Sequence, residues 1–184
     1  SGSTGRSKIV PWTQRALVRG GEHMFPMQGV QPDDISLIGL PSFTSFGFMV
    51  GVGGDMYAGA TNVFWTDPAP IMMARARMLA SIEKERITRL PGVPFLFDLL
   101  ASVTDEVDMS SLRNVTSGGV ALKKPTFDRF LQRFNIPVRQ ALGMTEVGLI
   151  TANLDPDAVS TWDSVGQPDP EVTVTILPTP AAPT

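Results

Sequence analysis

The strand and turn that decide the fold are Val138-Arg139-Gln140-Ala141-Leu142-Gly143-Met144-Thr145-Glu146. Residues 138–142 predict a short strand, and the glycine-bearing turn after it sets the Thr145 hydroxyl beside the Glu146 carboxylate. A hydroxyl can donate a hydrogen bond to a phosphate oxygen, and a carboxylate supplies a hard oxygen to Mg²⁺. The turn therefore indicates a site for a phosphate group and its cation. A carboxylate favoured by the N-terminus of a following helix is the alternative for Glu146.

Outward from this strand, the chain alternates segments of strand and helix character, which predicts an α/β fold with a largely parallel sheet flanked by helices. Short apolar runs predict buried strands at 35–40, 61–65, 87–90 and 112–116. Valine and isoleucine alternating with threonine predict a half-exposed strand at 172–176. Apolar residues at helical spacing, together with a glycine-rich apolar segment, predict helices at 13–24, 46–59, 71–86, 95–102 and from Pro125-Thr126 onward.

The composition excludes several classes of protein. The chain has 184 residues, of which 42% are hydrophobic and 18% charged, as expected for one globular domain. A net charge of −3 without a basic block argues against a nucleic-acid partner. Without cysteine there is neither a disulfide nor a thiolate metal site, and a single histidine, His23, argues against a multi-histidine cluster. We expect His23 to be solvated or to cap a helix end.

The sequence also suggests where the protein resides. The most apolar stretch, 43–52, is too short to span a bilayer, and no signal peptide is found, so we expect an intracellular, cytoplasmic protein without a membrane span. The chain begins without methionine and inside a motif, so we expect it to be part of a longer protein. Residues 178–184 are rich in proline and are expected to be loose. The sequence leaves the oligomeric state open.

A second candidate site lies at the start of the chain, in Ser1-Gly2-Ser3-Thr4-Gly5-Arg6-Ser7-Lys8. Backbone amides freed by glycine, hydroxyl groups and the Lys8 cation can together surround a polyphosphate. The spacing is not that of the Walker P-loop. A flexible terminus is the alternative for this stretch, and a plain surface lysine is the alternative for Lys8.

Together, these two stretches resemble the adenylate-forming (AMP-binding) enzymes, which include acyl-CoA synthetases, coumarate-CoA ligases, luciferases and peptide-synthetase adenylation domains. Further matching motifs follow in the family's order. They are Pro41-Ser42-Phe43-Thr44-Ser45-Phe46-Gly47, Gly92-Val93-Pro94, Ser117-Gly118-Gly119-Val120-Ala121-Leu122 and Val165-Gly166-Gln167-Pro168. The resemblance covers almost the whole chain. It implies that residues 1–177 are part of the large N-terminal adenylation domain and that the small C-terminal domain is absent.

The resemblance implies roles for particular residues. Thr145 would meet the α-phosphate of ATP, Glu146 would hold Mg²⁺, and Lys8 would complete the catalytic group. The other nucleotide-binding residues would be Ser1, Gly2, Ser3, Thr4, Gly5, Gly118, Gly119, Val120, Ala121, Gln140, Ala141, Leu142, Gly143 and Met144. The acyl pocket would be formed by Thr44, Phe46, Met49, Gly118 and Gly119. Without a Cβ, the glycine pair lets the backbone approach a flat ring closely. An ordinary strand-to-helix turn for this pair, and core packing for the apolar pocket residues, are the alternatives.

The resemblance further implies a reaction: ATP activates a carboxylic acid to an acyl-adenylate, and a thiol, CoA being the expected acceptor, takes the acyl group. Several positions depart from the family's pattern. Thr44 stands for the histidine near the substrate carboxylate, and Leu142 stands for the aromatic residue that stacks on adenine. Ser7, Ile9 and Ala121 also differ. The ribose-binding aspartate and the C-terminal catalytic lysine are not found, so we expect these residues alone to be inactive. A nucleotide-binding pseudoenzyme and an inactive truncated fragment are the alternatives.

Overall fold

The computed structural model of the chain describes residues 9–177. In chain order, its elements are α1 (Gln14–Met27), β1 (Ile35–Ile38), a π-helix (Phe46–Gly53), α2 (Gly54–Ala58), β2 (Thr61–Phe64), α3 (Ile71–Lys84), β3 (Arg89–Gly92), α4 (Pro94–Ala101), β4 (Asn114–Ser117), α5 (Lys124–Phe134), β5 (Arg139–Met144), β6 (Gly148–Ala152) and β7 (Gln167–Pro168). The predicted phosphate loop, Ser1 to Lys8, and the predicted loose end, 178–184, lie outside the described residues.

The strands form one sheet in the order β2-β1-β3-β4-β5-β6-β7. The first five strands of this order pair in parallel, whereas β6 and β7 continue the sheet in antiparallel pairing. Strands β3 and β4 are buried along their whole length, which explains why their sequences are short, mainly uncharged runs rather than alternating ones. The predicted α/β architecture with a largely parallel sheet is confirmed.

Helices cover both faces of the sheet. Leu37 belongs to the larger hydrophobic core, which also contains Met78 of α3 and Phe130 of α5. Its neighbour Ile38 points the other way, toward the π-helix, where a side chain added at Gly51 would begin 3.4 Å from it. A smaller core on that face joins the π-helix to β5 and β6 through Met49, Val50, Ala141, Leu149 and Ala152.

In this part of the molecule one sequence-based prediction is wrong, and of the two alternatives for His23 the helix cap is not found. Residues 172–176 form no strand, and Ile176 is 93% exposed. Alternating β-branched residues favour a strand only where a neighbouring strand and a buried face are available, and the edge of this sheet is occupied by β7 instead. His23 lies inside α1 rather than at its end, and its Nδ1 lies 3.1 Å from the Asp169 carboxylate. The segment 46–59 is helical as predicted, but most of it has π-helical turns.

A buried polar cluster supports the sheet near the start of β3, away from the carboxyl ends of the strands. Arg89 is 1% exposed and forms an ion pair with Asp55 of α2, which is fully buried. Its guanidinium also donates to Ser36 at 3.2 Å and to the side chain of Gln28. Burial raises the pKa of the Asp55 carboxyl to about 6, although the Arg89 charge opposes part of that rise. The cluster therefore joins α2 to β1 and β3. The buried Asp55 carboxylate and the buried Arg89 guanidinium each stabilise the charge of the other.

Candidate functional site

A cavity of about 430 Å³ opens at the carboxyl ends of β4 and β5. Its walls come from the start of the π-helix, the loop after β4 and the β5–β6 hairpin. The lining residues are Thr44, Ser45, Phe46, Met49, Val50, Gly118, Gly119, Ala141, Gly143, Met144, Thr145, Glu146, Gly148 and Leu149. Open sheets of parallel strands bind their ligands at this edge, because the loops that follow the strands leave a crevice there. The cavity is also of the size typical of small-molecule sites.

Most of the predicted site residues within the described range meet in this cavity. It brings together the predicted acyl-pocket residues (Thr44, Phe46, Met49, Gly118 and Gly119) with part of the predicted nucleotide site (Ala141, Gly143, Met144, Thr145 and Glu146). Sequence reasoning missed Ser45, Val50, Gly148 and Leu149, which also line it. Ser45 lies in the motif from Pro41 to Gly47 and could have been predicted as a site residue. The others depend on the antiparallel hairpin and on the wide helical turns, for which the sequence carries no clear signal.

The turn that carries Thr145 and Glu146 joins two antiparallel strands. Strand β5 pairs with β6 directly beyond the turn, with Met144 opposite Gly148. Gly148 has φ +81°, a conformation that favours glycine, and a side chain at Gly143 would begin 2.8 Å from the Gly148 carbonyl oxygen. No helix begins here, so the alternative in which a helix N-terminus explains Glu146 is wrong. The hairpin projects both side chains at the cavity.

Hydrogen bonds from two other segments hold this turn. The indole Nε1 of Trp12 donates to the Thr145 carbonyl oxygen at 3.0 Å. The Ser45 Oγ lies 2.9 Å from the Thr145 Oγ1, and either hydroxyl can donate. The π-helix and the segment before α1 are thereby tied to the residue predicted to meet the α-phosphate.

The two glycines that follow β4 are each favoured for a different structural reason. Gly119 has φ +84°, which a residue with a side chain rarely adopts. A Cβ at Gly118 would begin 2.9 Å from the Phe46 ring, so this backbone approaches an aromatic side chain of the protein itself. Both glycines line the cavity. The predicted approach of this loop to adenine stays a prediction.

Within residues 9–177, the remaining predicted nucleotide-binding residues lie outside the cavity lining. Gln140 is buried, and its side-chain oxygen accepts a hydrogen bond from the Leu122 amide at 2.8 Å. Its amide nitrogen donates to the Trp162 carbonyl oxygen, also at 2.8 Å, so Gln140 holds the end of the loop that begins at Gly118. Val120 and Ala121 are exposed in that loop, and Leu142 is 43% exposed on β5. Their contacts with a nucleotide stay predictions.

The donor atoms at the turn fit a hard divalent cation. Glu146 is exposed and offers carboxylate oxygens beside the Thr145 hydroxyl, and Mg²⁺ binds through one or two carboxylates together with phosphate oxygens and water. Within residues 9–177, no group of three or more His, Cys, Asp or Glu side chains is arranged to hold a metal by itself. A cation bound at Glu146 would therefore need phosphate oxygens or water as its other ligands.

Within residues 9–177, no helix is long and apolar enough to cross a membrane.

A parallel sheet with a cavity at its carboxyl edge, walled by glycine turns and a hydroxyl–carboxylate hairpin, defines an α/β domain with a candidate small-molecule site. The chain belongs to the AMP-binding enzyme family, whose family model matches residues 1–181. The resemblance drawn from the sequence motifs is thus confirmed.

Individual relatives agree with this assignment. The chain is 32% identical over 177 residues to the 4-coumarate–CoA ligase-like 9 of Arabidopsis thaliana, covering 91% of this chain and 30% of that protein. It is also 32% identical over 180 residues to a 3-[(3aS,4S,7aS)-7a-methyl-1,5-dioxo-octahydro-1H-inden-4-yl]propanoyl:CoA ligase of Rhodococcus jostii, covering 95% of this chain and 34% of that ligase. The chain therefore spans about a third of the length of these curated relatives.

Solved structures share the fold. The ATP-bound MatB of Rhodopseudomonas palustris superposes with a TM-score of 0.78 at 23% identity, covering 92% of this chain and 33% of that one. The N-terminal domain of FACL13 from Mycobacterium tuberculosis, solved with an inhibitor, superposes with a TM-score of 0.79 at 23% identity, covering 92% of this chain and 42% of that one. These similarities show that the chain shares the α/β fold of both proteins.

Proposed function

We propose that the protein uses ATP to activate a carboxylic acid as an acyl-adenylate and then transfers the acyl group to a thiol, with CoA as the acceptor. The observation that carries the proposal is the cavity that joins an apolar pocket to the Thr145–Glu146 turn. It is supported by membership of the AMP-binding family and by relatives named as CoA ligases.

The chemistry consists of two displacement steps. A carboxylate oxygen of the acid bonds to the α-phosphorus of ATP, the bond from that phosphorus to the bridging oxygen breaks, and pyrophosphate leaves. The sulfur of the thiol then bonds to the acyl carbon, and AMP leaves with the oxygen that came from the carboxylate. The protein accelerates such steps by positioning the reactants and by stabilising the charge that develops on the phosphate.

Within this proposal, the residues of the hairpin and the loop have distinct tasks. Thr145 donates its hydroxyl hydrogen to an oxygen of the α-phosphate, and Glu146 holds the Mg²⁺ that offsets the phosphate charge when it is bound. Lys8 and the hydroxyl residues of the opening stretch would bind the β- and γ-phosphates. The backbone from Gly118 to Ala121, together with Leu142, would frame the adenine.

The walls of the cavity favour an acid with an uncharged, apolar body. Phe46, Met49, Val50, Ala141 and Leu149 face the space where the acyl group would lie, and Glu146 adds a negative charge at its mouth. Burying the apolar surface of the acyl group against these side chains favours binding by roughly 25 cal/mol for each Å² removed from water. A second carboxylate on the acid would instead lose its hydration against apolar side chains without gaining a partner.

ATP–pyrophosphate exchange across a panel of acids tests this function in the natural-length protein. We expect exchange with apolar aliphatic or aromatic monocarboxylic acids and much less with dicarboxylic acids of the same length. Nucleotide binding without exchange for any acid would instead indicate a nucleotide-binding pseudoenzyme. We also expect residues 1–184 alone to form no thioester, since they cover only about a third of the relatives' length.

Replacing Leu142 by tyrosine tests where adenine lies. An aromatic ring stacked on the base would add about 0.5–1.5 kcal/mol beyond simple area burial, so we expect Leu142→Tyr to tighten ATP binding a few-fold. Because Leu142 lies outside the lining of the cavity, the preferred acid should not change. Calorimetry gives the ATP dissociation constant, and Val174→Tyr, at another half-exposed aliphatic position, is the control. Unchanged or weaker ATP binding by a folded Leu142→Tyr protein would show that this side chain does not face the base.

A further inference from the structure

We propose that Ser45 is a positioning residue for adenylate formation: its hydroxyl holds the Thr145 hydroxyl in the orientation from which it meets the phosphate. This inference rests on the proposed function. Ser45 follows Thr44 in the motif from Pro41 to Gly47, and the family resemblance assigns it no role.

The contact itself is a direct hydrogen bond between distant parts of the chain. Ser45 Oγ and Thr145 Oγ1 are 2.9 Å apart, 100 positions apart in sequence, in a partly buried setting. Both residues line the cavity, one on the π-helix side and one on the hairpin. The bond therefore crosses the site and joins its two walls.

Ser45 is available for this contact because a neighbour takes the task that a serine usually has at this position. Ser45 immediately precedes the π-helix, yet its side chain makes no capping hydrogen bond. The Thr44 Oγ1 instead accepts from the Gly47 amide at 3.0 Å and donates to the Pro41 carbonyl oxygen at 2.8 Å. Thr44, which stands where the family has histidine, thus stabilises the start of the helix and leaves the Ser45 hydroxyl directed at Thr145.

The backbone of Thr145 is fixed independently of this bond. Trp12 holds its carbonyl oxygen, and the pairing of Met144 with Gly148 fixes the hairpin on either side. The bond to Ser45 restricts rotation of the Thr145 side chain about χ1. The role assigned to Ser45 is therefore orientation of a hydroxyl and not support of the fold.

The bond to Ser45 is compatible with donation from Thr145 to a phosphate oxygen. Each hydroxyl has one hydrogen to donate and lone pairs that accept. When Thr145 donates to a phosphate oxygen, its own oxygen can accept from Ser45, and donation into a hydroxyl that itself donates strengthens both bonds. Ser45 thus acts through Thr145 and does not touch the phosphate.

Steady-state kinetics of the natural-length protein test the proposal. Because a hydrogen bond between neutral side chains contributes modestly, we expect Ser45→Ala to lower the kcat of ATP–pyrophosphate exchange about fivefold to tenfold. The dissociation constant for ATP should stay within about twofold, since the effect is on orientation in the transition state. Ser45→Thr, which keeps the hydroxyl, should recover most of the lost rate. Ser42→Ala, the same change at an exposed serine of the same loop, should have no effect.

A double-mutant cycle separates positioning from a structural role. In a Thr145→Val background, Ser45→Ala should cause no further loss of kcat, because the group that it orients is gone. An unchanged kcat for Ser45→Ala in an active wild-type enzyme would overturn this inference alone. So would equal and additive losses in both backgrounds, or a threonine variant as slow as the alanine one. Absence of exchange in the wild type with every acid would overturn the proposed function and, with it, this inference.

Discussion

Replacing Glu146 by glutamine is expected to reduce the rate of adenylation by about a hundredfold or more, equivalent to roughly 2.7 kcal/mol of transition-state stabilisation. The reason is that a neutral amide is a much poorer ligand for Mg²⁺ than a carboxylate. The fold should not change, because Glu146 is exposed in the β5–β6 turn. The measurement is ATP–pyrophosphate exchange as a function of Mg²⁺ concentration, with circular dichroism to compare the folds.

Glu106→Gln supplies the matched control for this experiment. Glu106 is an exposed glutamate in the loop between α4 and β4, and it is not among the residues that line the cavity. The control should retain the rate and the Mg²⁺ dependence of the wild type. A Glu146→Gln protein that also retained both would show that this carboxylate does not hold the metal ion.

The second large effect concerns stability: Arg89→Met is expected to lower the free energy of unfolding by about 3–5 kcal/mol near neutral pH. The change leaves the fully buried Asp55 carboxylate without its cation. The folded-state pKa of Asp55, already raised to about 6, should then rise further, whereas the unfolded value stays near 3.8. A group whose pKa is raised on folding contributes stability at low pH that is lost as the pH rises through the folded-state value. The deficit of the variant should therefore grow above pH 6.

Urea unfolding, followed by tryptophan fluorescence below and above that pH, measures this deficit. Arg129→Met is the control, because the Arg129–Asp98 ion pair is exposed and such pairs contribute only about 0–1 kcal/mol. Arg89→Lys keeps the charge and should lose less, which provides a second variant if Arg89→Met does not fold. Equal losses for the Arg89 and Arg129 variants at both pH values would contradict the role assigned to the buried pair.

The sequence predicted the parallel half of the sheet because its strands carry their own signal. A strand buried on both faces is a short apolar run, as at Ile35–Ile38, and helices between such runs imply parallel order. Strand β6 was missed because its residues gain strand structure only from pairing with β5 across a tight turn. The segment 172–176 shows the reverse error. Its β-branched apolar residues do alternate with threonine, but no neighbouring strand pairs with the segment.

The site was predictable as far as short motifs mark it. The glycine pair, Thr145 and Glu146 stand in local patterns whose chemistry can be stated from the residues alone. Ser45 could not be assigned in that way, because its partner lies 100 positions away and its availability depends on the capping bonds of Thr44. The Arg89–Asp55 pair was hidden for the same reason, since only the packing of α2 against the sheet brings the two residues together.

The transfer of a heavy oxygen isotope from the acid to AMP tests the proposed adenylation most directly. The natural-length protein is incubated with ATP, Mg²⁺, CoA and an apolar monocarboxylic acid labelled in its carboxylate, and the products are analysed by mass spectrometry. Attack of a carboxylate oxygen on the α-phosphorus, followed by thiol attack on the acyl carbon, predicts one labelled oxygen in the phosphate of AMP. Label in inorganic phosphate with release of ADP, or thioester formed while AMP remains unlabelled, would contradict it.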